Sequence, residues 1–309
     1  MAPSAVLECP LAALDAGQVL ESVSDAIDDV NCIKYDAEVK FDSEKDKTQF
    51  RQYEDACGRV KNFYKEQHEK QTVAYNLAAR NRFASASRIR PEMTVWQAIE
   101  KLNTLVDESD PDTTLSQIEH LLQSAEAIRR DGKPRWMQLT GLIHDLGKLM
   151  LFFTELETQG QWDVVGDTFP VGCAFDRRII LPDTFEANPD TKDSIYSSKF
   201  GIYSPGCGLD NVMLSWGHDE YLYHVIKDQS TLPDEALAMI RYHSFYPWHR
   251  EGAYRELMCK KDYAMLNAVQ AFNPYDLYSK SDEVPSVEEL KPYYMDLIDE
   301  FFPQKIVKW

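Results

Sequence analysis

The densest hydrophobic pattern in the chain lies at residues 139–153, where Leu, Ile, Met and Phe surround His144-Asp145 and Gly147-Lys148. It predicts a buried helix, opened by Pro134 at a position that needs no backbone amide. Residues 114–130 show helical spacing and stop at Asp131-Gly132, a C-terminal signal. A helix is predicted over 93–106 with Thr94 as its N-cap. The Lys-, Glu-, Gln- and Tyr-rich pattern over 44–84 reads as one long helix, and helical period returns over 209–227, 233–246 and 260–272. Residues 107–112 form a loop containing Pro111. By contrast, residues 159–209 are rich in Gly, Pro, Asp and Ser and have no helical period. Loops of that length in a compact domain are often functional. Strand-like alternation is sparse, so the expected fold class is all-α, a helical bundle with one long irregular loop region. Residues 1–40 read as a separable N-terminal arm with one amphipathic face, and residues 41–309 as a single domain.

The His144-Asp145 pair is hard to explain by packing. Burying an ionised carboxylate costs several kcal/mol or more unless a partner offsets it. A metal ion suits both a neutral imidazole and a carboxylate. Of seven histidines, His120, His144, His218 and His243 lie beside apolar residues in predicted helices. Asp276, in Asn273-Pro274-Tyr275-Asp276, is a further candidate. A helical bundle can aim such groups inward at one site. Any single histidine is more often an ordinary core or surface residue; adjacency to Asp145 shifts the balance for the set. His68, in Lys65-Glu66-Gln67-His68-Glu69-Lys70, reads as a solvated helix face. His224 reads as a contact to solvent or its own helix, and His249 as a loop residue.

Only imidazole and carboxylate are on offer, which favours iron, manganese or zinc. Such a set is too large for one tetrahedral zinc and suffices for two ions if a carboxylate bridges. Asp145 is the natural bridge, since paired ions sit roughly 3.5–4 Å apart.

Net charge is −18, which disfavours nucleic acid or an anionic membrane as partner. No apolar run reaches ~18 residues, so no membrane-spanning helix is expected. Residues 1–10 lack the features of a signal peptide. The six cysteines form no Cys-x-x-Cys pair, which argues against a thiolate zinc site and for reduced thiols in a cytoplasmic protein. Gly206-Cys207-Gly208 lacks the third glycine of a dinucleotide fingerprint.

The order His … His-Asp … His … His … Asp resembles the HD-domain superfamily. Longer segments narrow the likeness. Val164-Val165-Gly166-Asp167-Thr168-Phe169-Pro170, Trp216-Gly217-His218-Asp219-Glu220-Tyr221, Tyr242-His243-Ser244-Phe245-Tyr246-Pro247, residues 105–112 and residues 272–280 resemble the myo-inositol oxygenase family. The resemblance runs from about residue 41 to Trp309. It implies two irons per chain, mixed-valent Fe(II)/Fe(III) when active, and cleavage of the myo-inositol ring with O2 to give D-glucuronate and water. One iron would take His120, His144, Asp145 and Asp276, and the other Asp145, His218 and His243. Substrate contacts would fall on Arg51, Asp107, Glu108, Ser109, Lys148, Gly166, Asp167, His243, Ser244 and Lys280, with Asp145 and Lys148 the catalytic pair. The family likeness also implies a monomer.

That chemistry is self-consistent: inositol plus O2 gives glucuronate plus water with no external reductant, so no nicotinamide or flavin is required. Plainer roles exist for several of these groups. Lys148 could be a helix lysine with its head in water, residues 107–109 a solvated turn, Arg51 a surface ion-pair residue, and Gly166-Asp167 a turn rather than part of a lid. Residues 153–161 look a few positions longer than the family's usual form, which would reshape the entrance without touching the iron ligands. The alternatives are an HD-type metal-dependent phosphohydrolase, a related di-iron oxygenase with another substrate, and a metal-stabilised scaffold. A phosphohydrolase would want an Arg and Lys cluster for phosphate, and basic residues near the candidate ligands are few.

Overall fold

Thr72 breaks the long polar helix expected over 44–84. Its hydroxyl accepts from the Tyr75 amide at 3.1 Å and so caps a new helix. The chain therefore forms α1 (Gly58–Lys70) and α2 (Val73–Ala84). This computed structural model describes residues 58–85, 87–109, 116–277 and 286–309. The arm at 1–40, Arg51 and Lys280 lie outside those residues.

A two-residue strand, β1 (Glu92–Met93), precedes α3 (Val95–Leu102). Thr94 is the N-cap the sequence predicts: its hydroxyl accepts from the Gln97 amide at 3.1 Å and its amide donates to Gln97 Oε1 at 2.9 Å. The helix ends short of residue 106, with Asn103 as its C-cap and the Asn103 side chain accepting from the Ile118 amide at 3.0 Å. Next come α4 (Gln117–Arg130) and α5 (Arg135–Ile143). The stop after Arg130 falls where the sequence places it, with Gly132 at φ +67°. The apolar run does not continue as one α-helix. α5 ends at Ile143, His144 is its C-cap, and Leu146–Phe152 tightens into a 3-10 segment. Asp145 stands at the junction with φ −93° and ψ 0°, the bridge region that active-site residues favour.

The long loop is present as expected and contains only short 3-10 turns. The helix expected from residue 209 begins at His218 instead. Backbone pairing consumes the intervening segment: the Val171 amide donates to Met213 O at 2.9 Å and the Ser215 amide to Phe169 O at 2.7 Å. Beyond it lie α6 (His218–Ile226), α7 (Asp234–Tyr242), the short α8 (Tyr246–His249), α9 (Lys260–Leu277) and α10 (Val287–Phe301). α9 runs through Pro274. β2 (Val307–Lys308) returns to pair antiparallel with β1.

The largest core cluster packs Leu121, Leu142, Ile143, Leu146 and Leu149 with Leu222 and Val225 of α6. Each such side chain contributes roughly 1.5–3 kcal/mol when fully buried. A second cluster joins Phe169 and Val171 of the loop to Phe245, Trp248 and Val269. A third, smaller cluster includes Phe272, whose ring packs edge-on against His144 with centroids 5.4 Å apart.

Two histidines are not where the sequence puts them. His68 is fully buried, stacked on Phe185 with ring centroids 3.9 Å apart. It is not a solvated helix face; the loop folds over α1 and covers it. His249 is buried in α8, with Nε2 2.9 Å from His243 O. His224 matches expectation, reaching Glu220 Oε1 of its own helix at 3.2 Å.

Candidate metal centre

Five elements bring the predicted ligands together: α4 carries His120, the α5 junction His144 and Asp145, α6 His218, the end of α7 His243, and α9 Asp276. The Asp145 carboxylate faces two ways. Its Oδ2 lies 3.7 Å from His120 Nε2 and 3.6 Å from His144 Nε2. Its Oδ1 lies 3.5 Å from both His218 Nε2 and His243 Nε2. Asp276 Oδ1 completes the first group, at 3.3 Å from His120 and 3.1 Å from His144. Two sets, His120-His144-Asp145 and Asp145-His218-His243, have donor spacing that could hold a metal ion.

Ring orientation supports that assignment. His144 Nδ1 lies 2.9 Å from Gly141 O, His218 Nδ1 2.8 Å from Val164 O, and His243 Nδ1 3.0 Å from Ile240 O. A carbonyl only accepts, so each Nδ1 carries the proton and each Nε2 presents a lone pair. Those lone pairs face carboxylate oxygens, and His218 Nε2 stands 3.3 Å from His243 Nε2. Acceptors packed against acceptors repel unless a cation lies among them, and second-shell bonds of this kind orient metal-ligating imidazoles. Without an ion a proton takes that place. Burial opposes charge on His243, but Asp219, Asp145 and Asp276 outweigh it and push its pKa up to about 9. Burial would likewise raise Asp145; Lys148 and the histidines outweigh it and hold the carboxylate well below its usual range.

Asp219 is a residue of the site that the sequence reading missed. It is fully buried, with Oδ1 2.8 Å from His218 Nε2 and 3.3 Å from His243 Nε2. Its Oδ2 accepts from the Ser244 amide at 3.1 Å and from Thr168 Oγ1 at 3.3 Å. The signal was present, since His218-Asp219 is a second adjacent His-Asp pair.

Lys148 is buried, not solvated. Its Nζ donates to Asp145 Oδ2 and Asp107 Oδ2, both at 2.8 Å. Burial disfavours its charge, but the two carboxylates outweigh that and raise its pKa. Asp107 Oδ1 accepts from the Ser109 amide at 2.8 Å and hydroxyl at 2.6 Å, so residues 107–109 form a tight turn with Asp107 and Ser109 buried. Glu108 is exposed, and its amide donates to Gln161 Oε1 at 2.9 Å. Gln161 Nε2 donates to Val106 O at 2.8 Å, so this side chain grips the backbone on both sides of Asp107. The segment at 153–161 thus meets the site at its last residue.

Ser244 Oγ lies 3.2 Å from His218 Nε2, and Ser244 O accepts from the Thr168 amide at 2.9 Å. That bond seats the Gly166-Asp167 turn beside the second ligand set. Gly166 adopts φ +89°, and a Cβ there would stand 2.7 Å from Phe63. Asp167 is buried, its Oδ1 accepting from Tyr64 OH at 3.3 Å. Gln67 Nε2 donates to Val165 O at 3.0 Å, so α1 braces the turn.

A family model described as Myo-inositol oxygenase matches residues 57–309. An inositol oxygenase of Arabidopsis thaliana is 51% identical over 267 residues, covering 84% of each chain. That of Dictyostelium discoideum is 47% identical over 280 residues, 89% of this chain and 95% of its own. The rat protein, also named inositol oxygenase, is 45% identical over 280 residues, 89% of this chain and 96% of its own. A match over four fifths of both chains, with convergent His and Asp donors inside it, places this chain in the myo-inositol oxygenase family.

Proposed function

We propose that the protein is a di-iron inositol oxygenase, converting myo-inositol and O2 to D-glucuronate and water. The observation that carries the two-ion reading is the split Asp145 carboxylate, one oxygen toward His120 and His144 and the other toward His218 and His243. Iron, when bound, would supply the redox chemistry with O2 and a seat for neighbouring substrate oxygens. His120, His144, Asp145 and Asp276 would hold one ion, and Asp145, His218 and His243 the other. The second set has fewer protein donors, which leaves it room for substrate.

The chain's own residues would do the rest. A ring polyol presents hydroxyls that both donate and accept. Asp107, Asp167 and Ser244 offer acceptors around the centre, and the Lys148 ammonium offers donors. Lys148 stays protonated between two carboxylates, so its role is to donate to substrate oxygen rather than to abstract a proton. Among the described residues it pairs directly with Asp145, and its charge is already balanced by two carboxylates, which leaves it ill-suited to neutralise a phosphate. Glu108, Gly166 and His243 would add contacts from the same faces, and Arg51 and Lys280 would join them from outside the described residues. No described helix is long and apolar enough to cross a membrane.

The test is O2 uptake by iron-loaded protein given myo-inositol, with glucuronate scored by mass. One glucuronate per O2, without reductant, is expected. Uptake without glucuronate would shift the reading to another substrate, and phosphoester hydrolysis instead would replace it.

A further inference from the structure

The two helices that carry the second histidine pair are tied by one buried fork. Glu220 follows His218 by one residue's interval on α6, and Arg241 precedes His243 by the same interval on α7. Arg241 Nε donates to Glu220 Oε2 at 2.8 Å and Nη2 to Glu220 Oε1 at 3.1 Å. Both residues are buried. Arg80 approaches the same carboxylate at 3.5 Å, and Asp210 accepts from Arg241 Nη1 at 2.9 Å.

A buried ion pair adds little net stability over well-packed apolar groups, because desolvation offsets the attraction. What a planar guanidinium does supply is orientation, since both N–H bonds must be met at once. Here that constraint acts between α6 and α7, two residues along each from the histidines whose Nε2 atoms stand 3.3 Å apart. The fork is thus a fixed contact between the two helices that does not depend on an ion at the histidines. His120, His144 and Asp276 come from α4, α5 and α9 and have no bond to this fork in the described residues.

We propose that Glu220 and Arg241 are positioning residues that set the spacing of His218 and His243, and that their loss selectively empties the second ion site. The inference rests on the two-ion reading above. Full-length protein is loaded anaerobically with Fe(II), and iron per chain and stepwise affinity are measured for the wild type, Arg241→Lys and Glu220→Gln. The wild type tests the two-ion reading itself: a single ion per chain would end that reading and this inference with it. Given two ions, both variants should bind the second about 10–100-fold more weakly, the range for lost outer-shell partners, with the first unchanged. Asp210→Asn, which spares the fork, should keep both ions. Wild-type affinity for both ions in the two fork variants would overturn the proposal. So would loss of both ions in step with the melting temperature, the mark of a merely structural pair.

Discussion

Gly147 lies so close to the main chain of His218 that a Cβ on it would stand 2.0 Å from the His218 carbonyl oxygen. This approach brings the turn after Asp145 against the start of α6 and lets one carboxylate reach both histidine pairs. Gly147→Ala puts a methyl into backbone, which cannot swing aside. It should destabilise the protein by about 1–3 kcal/mol, as overpacking does, and lower iron content. Unchanged iron content together with an unchanged melting temperature would show that the approach has no such role.

Asp145→Asn keeps the side chain's shape and removes its charge. If the carboxylate is shared, both ions should be lost together, because each set then keeps only neutral donors or a single carboxylate. Metal analysis of the purified variant decides this. Two irons retained per chain would refute the shared role.

Lys148→Met should leave iron content near the wild-type level while kcat/KM falls about 10- to 100-fold, from roughly 1.5–3 kcal/mol for a hydrogen bond to a charged group. The variant also strands Asp107 and Asp145 without their cation, so a lower melting temperature is expected. Wild-type kinetics would remove Lys148 from the substrate site.

Gln161→Ala should act through Asp107 rather than on the ions. Losing the grip on Val106 O and the Glu108 amide frees the turn that presents Asp107. A several-fold rise in KM with kcat and iron content little changed is expected. An equal fall in kcat at constant KM would place Gln161 elsewhere in the reaction.

His68 should govern part of the acid limb of stability. Burial outweighs a backbone hydrogen bond at Leu181 and lowers its pKa from 6.5 to about 3. The folded state therefore resists a proton that the unfolded chain accepts. Stability from this group is complete above pH 6.5 and is lost as pH falls from 6.5 toward 3, with a limiting slope of about 1.4 kcal/mol per pH unit. His68→Phe preserves the ring on Phe185 and removes the titration. It also loses the Thr184 hydroxyl, 2.6 Å from Nδ1, at a cost of about 1 kcal/mol. Melting temperatures from pH 6.5 to 4 should fall less steeply in the variant. Parallel curves would show that His68 carries a proton in the folded state.

The sequence by itself determined the chemistry on offer and most of the local structure. Helical period, the Thr94 cap and the Asp131-Gly132 stop depend on neighbours within one turn, so they are legible along the chain. The same holds for ligand type: His144 beside Asp145 in an apolar run asks for a cation wherever it folds. What the sequence could not show was which groups meet across long separations. His68 reads as solvated because its own helix is polar, and only the loop folded over α1 buries it. Asp219 follows His218 in the sequence, but its place beside both histidines shows only once the segment after α7 brings Ser244 against it. Thr72 splits a long helical pattern because the loop packs there; Asp190 accepts from the Val73 amide at 2.7 Å. Most decisively, the two faces of Asp145 exist only because the chain tightens after Ile143 and Gly147 admits the His218 backbone. Periodicity records which side of an element is buried, whereas a site depends on distances between elements, and only tertiary packing sets those.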